Sequence, residues 1–297
     1  MILIHSINLD KATSKVIDWL YRYNRFFLRV NSDDGYQFKF GLSISINGFL
    51  LDDIECYWYR KGTFQGIDTT SFNRSSIKRL LIENEIKILQ YVESTLCKKR
   101  NLNSYFNASP NKLLVLERAK RYGLLIPRFI LTDHHPDPAT KYIYKTINEG
   151  GNVFLSDCIA NAYTSVFIPN ELQEFGVTFF QEHIEKRYEL RIFYLDGKFW
   201  SMAIFSQNDQ QTQVDFRKYN IERPNRVVPF QLPKGIETKL NKLMKNLKLK
   251  SGSIDMIVTP DKKYYFLEVN PVGQFDMISF PCNYYLEKHI AKYLIND

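Results

Sequence analysis

The sequence predicts an α+β protein with an α/β unit at its N-terminus. Three observations carry this. Strand-like and helix-like runs alternate over residues 1–31, and two hairpin signals fall in the second half of the chain. The 297 residues, 44% hydrophobic and 15% aromatic, supply core for roughly two domains.

The first strand is Ile2-Leu-Ile4, a helix follows near Lys11–Tyr23, and Phe26–Val30 returns as a strand. More strands are expected over 36–60, with Asn47-Gly48 as a hairpin turn and Glu55–Arg60 as a further strand. An amphipathic helix follows Ser75-Ser76, with Ile77, Leu81, Ile88, Val92 and Leu96 among its apolar positions. The polar break at Asn101–Ser109 reads as a domain boundary. Ser109-Pro110 reads as an N-cap followed by proline, opening a helix that ends at Gly123. The middle section mixes strands with a Gly150-Gly151 turn, and Lys145 stands just before it, placed to reach a phosphate beneath. Asp196-Gly197 between apolar runs is a two-residue hairpin signal. The strand before it carries Glu189 and Arg191 on one face, where the ordinary reading pairs them with each other. Residues 206–220 read by composition as a surface loop. The Lys-rich helix from Lys234 aligns Ile236, Leu240, Leu243, Met244 and Leu247 on one stripe for packing on a core.

Composition excludes several classes. No apolar run approaches the ~18–20 residues of a membrane span. The N-terminus lacks the basic flank and small-residue cleavage site of a signal peptide. Cys56, Cys97, Cys158 and Cys282 are scattered, without zinc spacing, which fits a reducing cytoplasm. The net charge of +8 favours acidic partners, but no aromatic-plus-basic signature of nucleic-acid binding is present. Walker A and GxGxxG patterns are absent.

The chemistry-bearing segment is Ser253–Gln274, two strand-like runs around Pro260–Lys263. A four-residue loop sets Thr259 opposite Tyr264 and hence Asp255 opposite Glu268, with Asn270 on the same face. Opposed residues have Cβ atoms roughly 5 Å apart, so the carboxylates would repel unless compensated. Solvent-facing polar residues on an edge hairpin are the ordinary alternative. The apolar neighbours Ile254, Met256, Ile257, Val258, Phe266, Leu267 and Val269 weigh against it. Oxygen ligands of this kind suit Mg²⁺, particularly when phosphates complete its shell.

Lys145 before Gly-Gly, Gln181-Glu-His-Ile184, Glu189-Leu-Arg191, Asp255 and Glu268-Val-Asn-Pro-Val-Gly-Gln274, in this order, resemble an ATP-grasp enzyme. Cys56-Tyr-Trp-Tyr-Arg60, Gln207–Thr212 followed by Asp215-Phe-Arg217-Lys-Tyr, and the Gly273-Gln274 ending resemble the graspetide (microviridin-type, "grasp-with-spasm") peptide maturases. The resemblance implies three domains: an N-terminal α/β domain (1–107), a central lid with leader-peptide docking (108–183) and a C-terminal ATP-grasp domain (184–297), with ATP held between two antiparallel sheets. It implies Lys112 and Lys145 at the phosphates, Glu182 with the backbone of His183 and Ile184 at adenine, and Glu189 at the ribose. Asp255, Glu268 and Asn270 would hold Mg²⁺, and Arg191 and Arg217 would face the transferring phosphate. The implied enzyme is an ATP- and Mg²⁺-dependent ligase. It joins Asp/Glu side chains of a ribosomal precursor peptide, through acyl phosphates, to Ser/Thr hydroxyls or Lys amines as macrocycles. A homodimer is expected by the same analogy. The alternatives are a ligase that adds free amino acids and a non-catalytic nucleotide binder.

Overall fold

A computed structural model describes residues 1–64, 75–147, 152–154, 159–161, 164–168, 176–207, 211–215, 218 and 220–296. In chain order its elements are β1 (Ile2–Ser6), α1 (Lys11–Arg22), β2 (Phe27–Asn31), β3 (Phe38–Lys39), β4 (Ser45–Ile46), β5 (Phe49–Leu50), β6 (Cys56–Tyr59), α2 (Ser75–Cys97) and β7 (Arg100–Leu102). There follow α3 (Lys112–Arg121), β8 (Phe129–Thr132), β9 (Tyr142–Tyr144), β10 (Asn152–Phe154), β11 (Ile159–Asn161), β12 (Ser165–Val166) and β13 (Thr178–Glu182). The chain closes with β14 (Tyr188–Leu195), β15 (Lys198–Phe205), β16 (Arg226–Phe230), α4 (Lys234–Asn246), β17 (Ser251–Val258), β18 (Tyr264–Asn270), α5 (Asp276–Ser279) and α6 (Leu286–Ile295). No helix among the described residues is long and apolar enough to cross a membrane.

The chain forms two compact units. One comprises Met1–Ala108, Gln274–Ser279 and Tyr285–Asp297; the other comprises Ser109–Gly273 and Phe280–Tyr284. In the first, β2-β1-β6-β7 form a sheet whose pairs are all parallel. Parallel neighbours require crossovers, supplied here by α1 and α2. Every residue of β1 and of β6 is buried, as parallel strands covered on both faces require. Asn47 and Gly48 have φ of 48° and 85°, the turn that two-residue hairpins favour, and they join β4 to β5. Asp10 and Arg60 form a buried ion pair at 2.8 Å. Cys56, Cys97 and Cys282 form no disulfide among the described residues; Cys158 lies outside the described residues.

The second unit holds two antiparallel sheets, β12-β9-β13-β8 and β16-β15-β14-β17-β18, and the ribbon β10-β11. The Asp196-Gly197 turn has φ of 43° and 91° and joins β14 to β15 as expected. Strand alternation divides the larger sheet. Leu190, Ile192, Tyr194, Ile254, Met256, Val258, Phe266 and Val269 face a core shared with Val115, Leu116 and Ala119 of α3 and Leu240, Leu243 and Met244 of α4. The other face carries Glu189, Arg191, Asp255 and Glu268, which is what builds a site.

One helix boundary corrects the expectation. The N-cap of α3 is Asn111, not Ser109: its side chain accepts from the N–H groups of Leu113 and Leu114. An amide at this position satisfies two N–H groups that a serine two residues earlier cannot reach. Asn111→Ala should lower stability by about 1 kcal/mol, readable as a shift in urea midpoint without a change in slope. Gly123, at φ 78°, ends the turn that follows, and Lys239 Nζ donates to its carbonyl at 2.7 Å.

Candidate active site

The two sheets of the second unit border a partly open cleft. Ile143, Lys145 and Gln181 line it from the smaller sheet, and Glu189, Asp255, Ile257, Leu267 and Glu268 from the larger.

The closing hairpin brings its carboxylates together by a route the sequence reading lacked. Near the turn the register is one residue off: Val258, not Thr259, pairs with Tyr264, Ile257 with Tyr265 and Met256 with Phe266. A bulge between Asp255 and Met256 then admits Leu267 as an extra residue, and Asp255 pairs with Glu268, Ile254 with Val269 and Ser253 with Asn270. Bulges re-aim side chains beside sites in this way. Without it, Glu268 would fall out of register with Asp255 and turn toward the core face.

Cations surround the pair. Arg191 Nη1 lies 2.5 Å from Asp255 Oδ2, its register partner across β14 and β17. Lys112 Nζ and Lys145 Nζ lie 3.4 Å and 4.0 Å from Glu268 Oε2. Lys112 is the first residue of α3, where the helix dipole disfavours a cation. The positive helix end and two lysines therefore converge on one region, which suits a multivalent anion.

Glu189 and Arg191 share a face as expected, but they do not pair. Glu189 is buried, and its carboxylate accepts from Lys186 Nζ at 2.5 Å and Ser206 Oγ at 2.6 Å. Burial pushes its carboxyl up, and Lys186 and Ser206 offset only part of that. Glu182 directs its carboxylate to Arg128 at 3.0 Å. The N–H of His183 donates to the Lys141 carbonyl at 2.9 Å. Burial, then Lys141 and Lys186, lower the His183 pKa, so its ring is neutral at pH 7. Glu182, His183 and Ile184 all border the cavity. Arg217 and the Gly150-Gly151 turn lie outside the described residues.

The donor set fits Mg²⁺ in a particular form. Asp255 and Glu268 are hard carboxylates in register, and Ser253, opposite Asn270, has a buried Oγ without a hydrogen-bond partner among the described residues. The Asn270 Oδ1 already accepts from the Val272 N–H at 2.9 Å. Among the described residues no three His, Cys, Asp or Glu side chains converge as a ready-made metal cage. Two carboxylates and an amide suit a cation that keeps waters and shares phosphate oxygens.

No family model matches the sequence, and no curated protein matches it. Solved structures do. A RiPP-associated ATP-grasp ligase of Chryseobacterium gregarium, in complex with ADP and a leader and core peptide, superposes with TM-score 0.84 at 23% identity, covering 99% of this chain and 96% of that one. The macrocyclase MdnC of Microcystis aeruginosa MRC, bound with precursor peptide MdnA, gives 0.79 at 25% identity, covering 100% and 99%. The chain has the fold of the ATP-grasp peptide macrocyclases. MdnB of the same organism gives 0.74 at 20% identity over 100% and 99%.

Of the residues expected from the sequence, Lys145, Asp255 and Glu268 line the cavity, and Lys112 and Arg191 pair with its two carboxylates. Sequence reasoning missed Lys186, and it placed Gln181 and Asp215 within motifs without giving either a role. Lys186 sits in irregular backbone between β13 and β14, where no periodicity marks it. Asp215 belonged to the stretch read as a surface loop, yet Ser206, Thr212 and Asp215 are buried. Their polar groups find partners that composition cannot reveal: Thr212 Oγ1 donates to the Ser206 carbonyl at 3.1 Å, and Asp215 Oδ2 accepts from the Thr164 N–H at 3.2 Å.

Proposed function

We propose that this protein is an ATP- and Mg²⁺-dependent ligase that activates Asp or Glu side chains of a precursor peptide. It joins them to Ser/Thr hydroxyls or Lys amines of the same peptide as macrocycles. One observation carries the reading: opposed Asp255 and Glu268, ringed by Lys112, Lys145 and Arg191, in a cavity between two antiparallel sheets. The neighbours crystallised with ADP, leader, core or precursor peptides support the substrate class.

The chemistry proceeds in two transfers. A peptide carboxylate oxygen attacks the γ-phosphorus of ATP, ADP leaves, and an acyl phosphate forms. A hydroxyl or amine of the same peptide then attacks the carbonyl, loses its proton, and expels phosphate. Such transfer depends on positioning and charge neutralisation more than on a protein nucleophile, and no such nucleophile is needed here. Lys112 and Lys145 hold the triphosphate, and Arg191 turns from Asp255 to the transferring oxygens, which guanidinium binds in bidentate fashion. Asp255, Glu268 and Asn270 would hold Mg²⁺, which when bound neutralises phosphate charge. Arg217 would join Arg191 at the phosphate. Glu189, held by Lys186 and Ser206, orders the ribose end of the cavity.

Incubation with ATP, Mg²⁺ and the precursor peptide encoded beside this protein should remove one water from the peptide per link, read by mass, with one ADP released per link. A peptide that binds but keeps its mass would sink the reading. If free amino acids instead of peptide stimulate ADP release, the amino-acid-adding alternative holds.

A further inference from the structure

We infer that Gln181 is the residue that selects adenine over guanine, by pairing its side-chain amide with the 6-amino group and N7 of the base. The inference rests on the proposed ATP site and assigns it a specificity determinant. Gln181 sits in β13 between Phe129 of β8 and Ile143 of β9 and is fully buried. Neither its Oε1 nor its Nε2 has a hydrogen-bond partner among the described residues. Buried side-chain amides with both ends unsatisfied are rare, because each stranded group carries its full desolvation cost. The position is also not where a solvated polar residue would fall. Strand alternation places Gln181 on the face of Phe179, whose ring lies 5.9 Å from Lys145 Nζ. That face borders the cavity: Gln181, Ile143 and Lys145 all line it. Apolar Ile257 and Leu267 line it from the opposite sheet, giving a planar base two apolar walls.

The unsatisfied pair is one acceptor and one donor on a planar group. Adenine offers the complement, an amino donor beside a ring-nitrogen acceptor, which Gln reads in bidentate fashion. On the N7 edge guanine presents two acceptors, O6 and N7, so Oε1 meets an acceptor whichever way the amide is turned. A bidentate pair of this kind discriminates by roughly tenfold to a hundredfold. Glu182, the neighbouring candidate, pairs with Arg128, and an ionised carboxylate offers only acceptors, not the donor that a ring nitrogen needs.

The test is calorimetric binding of ADP, GDP, 1-deaza-ADP and 7-deaza-ADP, each with Mg²⁺, to the full chain and to Gln181→Leu. The wild type should prefer ADP to GDP by at least tenfold and lose about tenfold in affinity for 7-deaza-ADP but not for 1-deaza-ADP. In Gln181→Leu both differences should vanish, with a melting temperature unchanged or raised, since leucine strands no polar atom. An unchanged ADP-to-GDP ratio in Gln181→Leu overturns the inference while leaving the ligase reading intact. Wild-type binding of 7-deaza-ADP as tightly as ADP overturns it independently of any variant. If the wild type binds neither ADP nor GDP, the nucleotide site and this inference fall together.

Discussion

Glu268→Gln should lower kcat for peptide ligation by about three orders of magnitude while leaving the fold intact. The size follows from charge stabilisation at the phosphates. A cation held at a transferring phosphoryl group is worth several kcal/mol, and about 4 kcal/mol is a thousandfold in rate. Glu268 stands opposite Asp255 with Lys112 at 3.4 Å. Glutamine keeps the shape but removes the charge that balances two lysines and that, in the proposed function, would hold a divalent cation. The ion pairs themselves are partly exposed, with Lys112 at 17% and Glu268 at 22%, so their loss should cost at most about 1 kcal/mol of stability. The measurement is ADP release and peptide mass change, alongside thermal unfolding. Activity within tenfold of wild type would remove Glu268 from the site. Asp255→Asn should behave alike in turnover. It would also strand Arg191, which loses its 2.5 Å partner.

The second large effect belongs to the other unit. Asp10→Asn should destabilise the fold by about 3 kcal/mol, because it removes the carboxylate paired directly with the buried Arg60 guanidinium and leaves Asp276 as its acidic neighbour. Asp10 and Arg60 are each 4% exposed, and Asp10 Oδ2 also accepts from Thr13 Oγ1 at 2.9 Å. Adding Arg60→Met to Asp10→Asn should recover much of the loss, since an apolar side chain of similar length needs no partner there. If the single variant unfolds at the wild-type midpoint, the pair contributes nothing. The same pair predicts an acid limb. Burial raises the Asp10 pKa, but Arg60, Lys61 and Thr13 outweigh it, and the net shift is below the ordinary 3.8. A carboxyl lowered on folding contributes fully above its unfolded pKa and loses that contribution as pH falls through the folded one. Wild-type stability should therefore drop more steeply below pH 3.8 than that of the Asp10→Asn, Arg60→Met protein.

The elements governed by local chemistry were legible in the sequence. Asn47-Gly48 and Asp196-Gly197 form the tight turns expected, because positive φ at both central positions is a local requirement. The stripe from Leu240 to Met244 faces the core, because helical period alone decides it. The facing of Asp255 and Glu268 also followed from the hairpin, although by a register that holds near the site and not near the turn. Residue counting cannot see a bulge, since admitting Leu267 depends on how β17 and β18 pack against their neighbours.

What the sequence by itself determined is the kind of protein: two regions of differing strand character, the closing hairpin with opposed carboxylates, and the residue types that phosphate chemistry requires. Only the tertiary structure decided who meets whom. It set Arg191 on Asp255 instead of Glu189, brought Lys186 and Ser206 to Glu189, carried Lys112 from a separate helix to Glu268, and buried Gln181 with both amide ends unmet among the described residues. Side-chain partners in a folded chain are set by sheet order and the packing of distant segments. Those long-range pairings leave no periodicity for a single sequence to display.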